Sequence, residues 1–229
     1  MISAAITSQE FWATVATTPY NAVDNKPIVL SGVTLADSAE KFQEQAFERC
    51  SLTNKFVERF FDTPPKLVLD LGCGTGTNTL QMFKNGAHVT AVDLSEKLLN
   101  IFSEKSINIP NKENLHLINK DIATMPSYGG PFNLVIAVDI LPYLPPTSLC
   151  STMKKIHNSL IENGIIIGTI FTHGDEESFE KLFERIGAHF YSGDDSFVEQ
   201  LLTFSLFSII KIERSSKYSC SFIAKKLKA

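Results

Sequence analysis

With 229 residues, 44% of them hydrophobic, the chain has material for one sizeable core but little for two independent ones. Its net charge is only −4, and Lys and Arg are interspersed among Asp and Glu. Such a surface offers no electrostatic footprint for gripping a nucleic-acid backbone, so a small-molecule partner is expected and a nucleic acid is not.

In chain order, apolar residues first recur at helical spacing, around Phe11, Trp12 and Val15 and then through Phe42, Ala46, Phe56, Val57, Phe60 and Phe61. Between these stretches Pro19 to Ala36 reads as irregular. Beyond Pro64 and Pro65 short aliphatic runs alternate with amphipathic stretches. Leu67 to Leu71 is a strand, followed by a helix ending near Asn85-Gly86, a strand over His88 to Val92 and a helix capped by Ser95. Leu115 to Asn119 and Phe132 to Val138 are further strands. A helix over about Ser148 to Ile161 is expected to stop at Asn163-Gly164, and Ile165 to Phe171 is again a strand. Helical stretches follow over Glu176 to Ile186 and Asp194 to Phe204. Phe207 to Ile212 and Tyr218 to Ala224 close the chain as a hairpin around Glu213-Arg214-Ser215-Ser216.

Alternation of this kind requires crossover helices on both faces of a mostly parallel sheet, whose inner strands are apolar on both sides. The fold class is therefore α/β. One domain is expected, with residues 1–65 as a helical cap and 66–229 as the core, including a helical insertion after its fifth strand. Met1 to Gln9 lacks the charged start and apolar run of a secretory signal, and no segment approaches a membrane span, so the expected location is cytoplasmic. The residues fix no oligomeric state. The four cysteines, Cys50, Cys73, Cys150 and Cys220, stand far apart and without metal-ligand spacing, so no metal is expected.

In open parallel sheets, ligands sit beyond the carboxyl ends of the strands. The first strand ends in Asp70-Leu71-Gly72-Cys73-Gly74-Thr75-Gly76, whose glycines permit a tight turn and close approach of a ligand. The second ends in Asp93, an acceptor suited to two ribose hydroxyls. A dinucleotide site would place its third small residue where Thr77 stands. Asp70 would moreover repel a pyrophosphate, whereas it suits a ligand carrying sulfonium and ammonium charge.

The run Val68 to Gly76 resembles the first motif of the class I S-adenosylmethionine-dependent methyltransferases. Val89 to Ser95 is similar to their second motif, Lys120-Asp121-Ile122 to the third, Phe132 to Ala137 to the fourth and Gly164 to Phe171 to the fifth, in order and at matching spacing. Small-molecule members of the tellurite-resistance and quinone-biosynthesis types are the most similar in spacing. The resemblance implies a doubly wound, Rossmann-like sheet of seven strands with the last antiparallel, and S-adenosyl-L-methionine as cofactor. It also implies roles by position. Asp70 and the backbone of Gly72, Cys73 and Gly74 would face the methionine part, and Asp93 would take the ribose hydroxyls. Leu94 would lie against adenine, Asp121 would accept from its amino group, and Ile122 would add backbone and apolar contact. Ala137 would offer backbone near the methionine amine.

No residue stands out as a general base. Asp139, Tyr143 and His173 follow the fourth and fifth strands and are candidates for the acceptor pocket; His173 could take a proton near neutral pH. Phe11, Trp12 and Tyr20 form an aromatic group suited to a lid. Two alternatives stay open at this point: a nicotinamide-dependent oxidoreductase, and a module that binds the cofactor without catalysis.

Overall fold

The computed structural model describes residues 63–172, 188–191, 195–214 and 219–228, with 28–30, 33–36 and single positions at 55, 57–59, 61 and 184. The aromatic group at Phe11, Trp12 and Tyr20, His173 and nearly all of the helix expected over Glu176 to Ile186 lie outside the described residues.

Two short strands come first, β1 (Ile28–Leu30) and β2 (Val33–Ala36), paired antiparallel. This departs from the irregular reading of Pro19 to Ala36. Two apolar, β-branched runs joined by Ser31-Gly32 meet the requirement for a tight hairpin, a signal that the neighbouring prolines and polar residues obscure.

The core elements follow in turn: β3 (Leu67–Leu71), α1 (Leu80–Lys84), β4 (His88–Asp93), α2 (Glu96–Ser106), β5 (Leu115–Asn119), β6 (Phe132–Ala137), α3 (Pro146–Ser159), β7 (Leu160–Phe171), α4 (Asp195–Phe204), β8 (Phe207–Arg214) and β9 (Ser219–Lys226). Seven of the strands form one sheet in the order β5-β4-β3-β6-β7-β9-β8. Neighbours from β5 to β7 pair in parallel, and β9 runs antiparallel to both β7 and β8. The last strand alone is therefore reversed, as the doubly wound expectation requires.

Val68, Leu69, Leu134, Val135 and Ile136 are wholly buried, because helices cover both faces of the inner strands. One face packs against Leu149, Met153 and Ile156 of α3 and Val198 and Leu202 of α4. The other packs against Met82 and Phe83 of α1 and Leu99 and Phe102 of α2. Ser95 caps α2, its side chain accepting from Leu98 N.

One boundary differs from the sequence reading. The helix α3 ends at Ser159 and β7 begins at once, so Asn163-Gly164 lies inside the strand. Asn163 takes a left-handed backbone, φ 64°, close to a register shift in the β6–β7 pairing, and a turn signal thus serves as an irregularity within a strand.

Chain order and spatial order diverge at β3, which pairs with β4 on one side and β6 on the other. The crevice that this reversal opens lies beyond the ends of β3 and β6, where Asp70 to Gly76 and Val138 to Tyr143 meet.

Candidate active site

Asp70 ends its strand wholly buried, with Thr79 Oγ1 donating to its Oδ2 at 2.8 Å. Burial chiefly, and the nearby Asp93 charge in addition, raise its pKa to about 7 despite the opposing hydrogen bond from Thr79. Among the described residues no Lys or Arg is paired with this carboxylate. A buried acid held in this way favours a cationic ligand.

The loop after Asp70 folds back on β4. Gly72 N and Cys73 N both donate to Val92 O, at 2.8 and 3.1 Å, and Gly74 N donates to Asp93 Oδ2 at 2.8 Å. These three N–H groups are thus used within the protein, and a ligand would meet the Cα and carbonyl surface of the loop instead. Gly72, Gly74 and Gly76 all have positive φ. A Cβ at Gly72 would fall 2.6 Å from Ile140 Cβ, so this glycine lets the β6 loop close on the β3 loop. At Gly74 no described atom lies within 4 Å of such a Cβ, which leaves open space for a ligand to fill.

Asp93 is half-buried, and its Oδ1 accepts from Ser95 N at 2.8 Å. Burial raises its pKa, while the donations from Ser95, Gly74 and Leu94 lower it. The acid therefore shapes its own turn through both carboxylate oxygens, each of which keeps a further acceptor site. Asn119, at the end of β5, reinforces the turn by donating to Asp93 O and Leu94 O at 3.1 and 2.8 Å. Leu94 is 51% exposed, an apolar side chain left at the surface beside the acid, as a flat apolar ligand would require.

Asp121 follows β5, its Oδ1 accepting from Ala123 N at 2.8 Å. Ile122 behind it is buried, and Ala137 at the end of β6 is wholly so. Cys73 is buried too, and its thiol is pushed well above its ordinary pKa by burial first and by Asp70 and Asp93 next. It is a packing group rather than a nucleophile.

Beyond β6, Asp139 takes a left-handed backbone, φ 55°. Thr169 Oγ1 accepts from Asp139 N at 2.6 Å and donates to Asp139 Oδ1 at 3.1 Å, pinning this conformation. Tyr143 sits edge-on to Phe171, and Phe171 in turn meets Phe190. Among the described residues no cluster of His, Cys, Asp and Glu is arranged to hold a metal, and no helix is long and apolar enough to cross a membrane. The terminal lysines are strand-end groups: Lys226 donates to Leu160 O at 2.8 Å and Lys228 pairs with Glu162.

Thr79, Asn119 and Thr169 escaped the sequence reading. Each acts on its acid from another element or from several residues away, and a hydroxyl or amide in a helix or strand carries no signature of its own.

A family model described as "Methyltransferase domain" matches residues 68–164. A ubiquinone biosynthesis O-methyltransferase of Aromatoleum aromaticum is 28% identical over 172 residues, 68% of this chain and 70% of that protein. Other curated relatives align over smaller shares of their own length, for example 56% of a malonyl-[acyl-carrier protein] O-methyltransferase of Bacillus cereus. Among solved structures, magnesium protoporphyrin IX methyltransferase from Synechocystis PCC 6803 with bound S-adenosylhomocysteine superposes with a TM-score of 0.69 at 17% identity, covering 96% of this chain and 98% of that one. The buried, cation-seeking Asp70 and the open cradle over Gly74 fit the cofactor of such enzymes and oppose the pyrophosphate of a nicotinamide cofactor. Residues 68–164 therefore carry a methyltransferase domain, on the seven-stranded sheet that the solved methyltransferases share.

Proposed function

We propose that the chain methylates a small-molecule acceptor in the cytoplasm, with Asp70, Asp93 and Asp121 dividing the cofactor among them. The observation that carries this reading is their placement: three acids stand at or just beyond the carboxyl ends of three adjacent parallel strands of one sheet, beside the switch point. Asp70 faces the methionine ammonium, with Gly72, Cys73, Gly74 and Ala137 lining that part through backbone. Asp93 receives the ribose hydroxyls. Leu94 and Ile122 take the adenine faces, and Asp121 accepts from the adenine amino group.

When bound, the cofactor supplies an electrophilic methyl group on sulfonium. The protein's contribution is alignment and exclusion of water, and alignment alone can be worth roughly 7 to 11 kcal/mol. Asp139 and Tyr143 line the acceptor side beyond β6. Asp139 can accept a proton or hydrogen bond from the acceptor, and Thr169 keeps it in place. The left-handed backbone at Asp139 supports this role, since a non-glycine residue in that region is held there by its surroundings at some energetic cost.

Two measurements test the reading. Asp93→Ala should raise the dissociation constant for S-adenosylhomocysteine by about five- to 150-fold in calorimetry, because an acceptor is lost, worth about 1 to 3 kcal/mol. Unchanged affinity in a folded variant refutes the ribose assignment. Transfer of a labelled methyl group to members of a metabolite panel should identify an acceptor, and Thr169→Val should then lower kcat or raise the acceptor KM with little change in cofactor affinity. A protein that binds cofactor tightly yet methylates nothing in that panel or in cell extract would be a binding module instead.

A further inference from the structure

The turn after Asp121 is gripped from outside the motif. Lys155, on α3, donates from Nζ to Ile122 O at 3.3 Å, Ala123 O at 3.2 Å and Met125 O at 2.9 Å. Tyr128 Oη donates to Ile122 O at 2.9 Å, and the ammonium lies 5.1 Å from the Tyr128 ring centroid. An ammonium has three donors, and here all three meet backbone carbonyls, so Lys155 acts as a fastening and not as a surface charge.

The peptide units it holds are those that orient Asp121. In a trans peptide the carbonyl and the following N–H point in opposite directions. Lys155 takes the carbonyls of Ile122 and Ala123, and the N–H groups on the far side of those same two peptides, Ala123 N and Thr124 N, turn to Asp121 Oδ1 at 2.8 Å and Asp121 O at 3.2 Å. Three carbonyls converging on one point repel one another unless a cation stands among them. Without the ammonium the two peptides would relax, and the Asp121 carboxylate would lose its fixed direction. Desolvation lowers the pKa of Lys155, and the Asp121 charge partly offsets this, so acid and lysine attract one another across the turn.

We propose that Lys155 is a positioning residue for cofactor binding: by clamping the carbonyls of Ile122, Ala123 and Met125 it pre-shapes the adenine side of the site and aims Asp121. The proposal rests on Asp121 as the adenine partner. It makes α3, an element outside the nucleotide-binding motifs, a part of the cofactor site.

The experiment is calorimetry on the full chain with two probes, S-adenosylhomocysteine and 5′-methylthioadenosine, which lacks the amino-acid part. Lys155→Met keeps most of the apolar stem and removes the donors. It should weaken both probes by the same factor, roughly tenfold. Tyr128→Phe removes the bond to Ile122 O, together with the hydroxyl's contact with Thr152, and should weaken both by about two- to fivefold. A Lys155→Met protein that melts lower but binds both probes as the wild type does would show a purely structural lysine and overturn the proposal. If that variant does not fold, unchanged affinity in Tyr128→Phe overturns it equally. Failure of the wild type to bind either probe would instead remove the cofactor assignment, and this proposal with it.

Discussion

Gly76→Ala should lower the melting temperature by roughly 4 to 20 °C, whereas Gly74→Ala, two residues earlier in the same loop, should lower it less and abolish cofactor binding instead. Both glycines have positive φ, 78° and 53°, so alanine is strained at either site, by about 1 to 2 kcal/mol. Their surroundings separate them. A Cβ at Gly76 would stand 2.5 Å from Cγ of Phe102 and closer still to two further ring carbons, and Phe102 is wholly buried in the core. The ring cannot yield without displacing its neighbours, and overpacking of that kind adds about 1 to 3 kcal/mol. Gly76 O also accepts from Thr79 N and Leu80 N, so a shift of Gly76 is passed to the start of α1 and to the Thr79 hydroxyl on Asp70. In a domain of this size each kcal/mol corresponds to about 2 to 4 °C. At Gly74 the added methyl group enters the space the ligand needs. Calorimetric melting with and without S-adenosylhomocysteine distinguishes the two. Equal melting losses in both variants would show that the loop is held by something other than contact with Phe102.

The strands were readable because their burial is local in origin. Val68, Leu69 and Val135, Ile136, Ala137 are uninterrupted apolar runs, and only a strand covered on both faces can bury such a run within five or six residues. Asp70 and Asp93 stand out for a related reason, each following an apolar run where the chain leaves the sheet, whereas Asp121, behind Asn119-Lys120, is marked only by the resemblance to the third motif. What was hidden depends on partners distant in sequence. Lys155 meets Ile122, Ala123 and Met125 across about thirty residues, and Thr169 meets Asp139 across the same interval. No period or spacing marks such pairs, since the folded sheet alone brings them together. The start of β7 was misplaced because Asn163-Gly164 has the same left-handed capacity at a strand irregularity as at a helix end. The pairing of Phe132 with Leu160 settles which applies.

Cofactor affinity should rise by up to about tenfold per pH unit as pH increases toward 7, then level off, and Asp70→Asn should flatten this dependence. In the free protein Asp70 has a pKa of about 7, against 3.8 for an ordinary aspartate, because its ionised form is buried. A cationic ligand beside it favours that ionised form, so binding below pH 7 must expel a proton, at about 1.4 kcal/mol per unit of pH. The sign for stability is opposite. The native protein holds this proton where the unfolded chain has already released it, so the Asp70 contribution to the stability of the cofactor-free protein declines as pH rises from about 4 to about 7 and is constant above. Cofactor should restore that loss. Asp70→Asn, which removes the buried charge, should therefore raise the melting temperature of the free protein at pH 8 while weakening cofactor binding, an exchange of function for stability. Titrations at pH 6 and pH 8, in buffers of different ionisation enthalpy, would count the proton released at the lower pH. A wild type whose affinity for S-adenosylmethionine is the same at both values, with no proton released at pH 6, would mean that Asp70 is already ionised in the free protein and that Thr79 and the loop dipoles suffice to hold its charge.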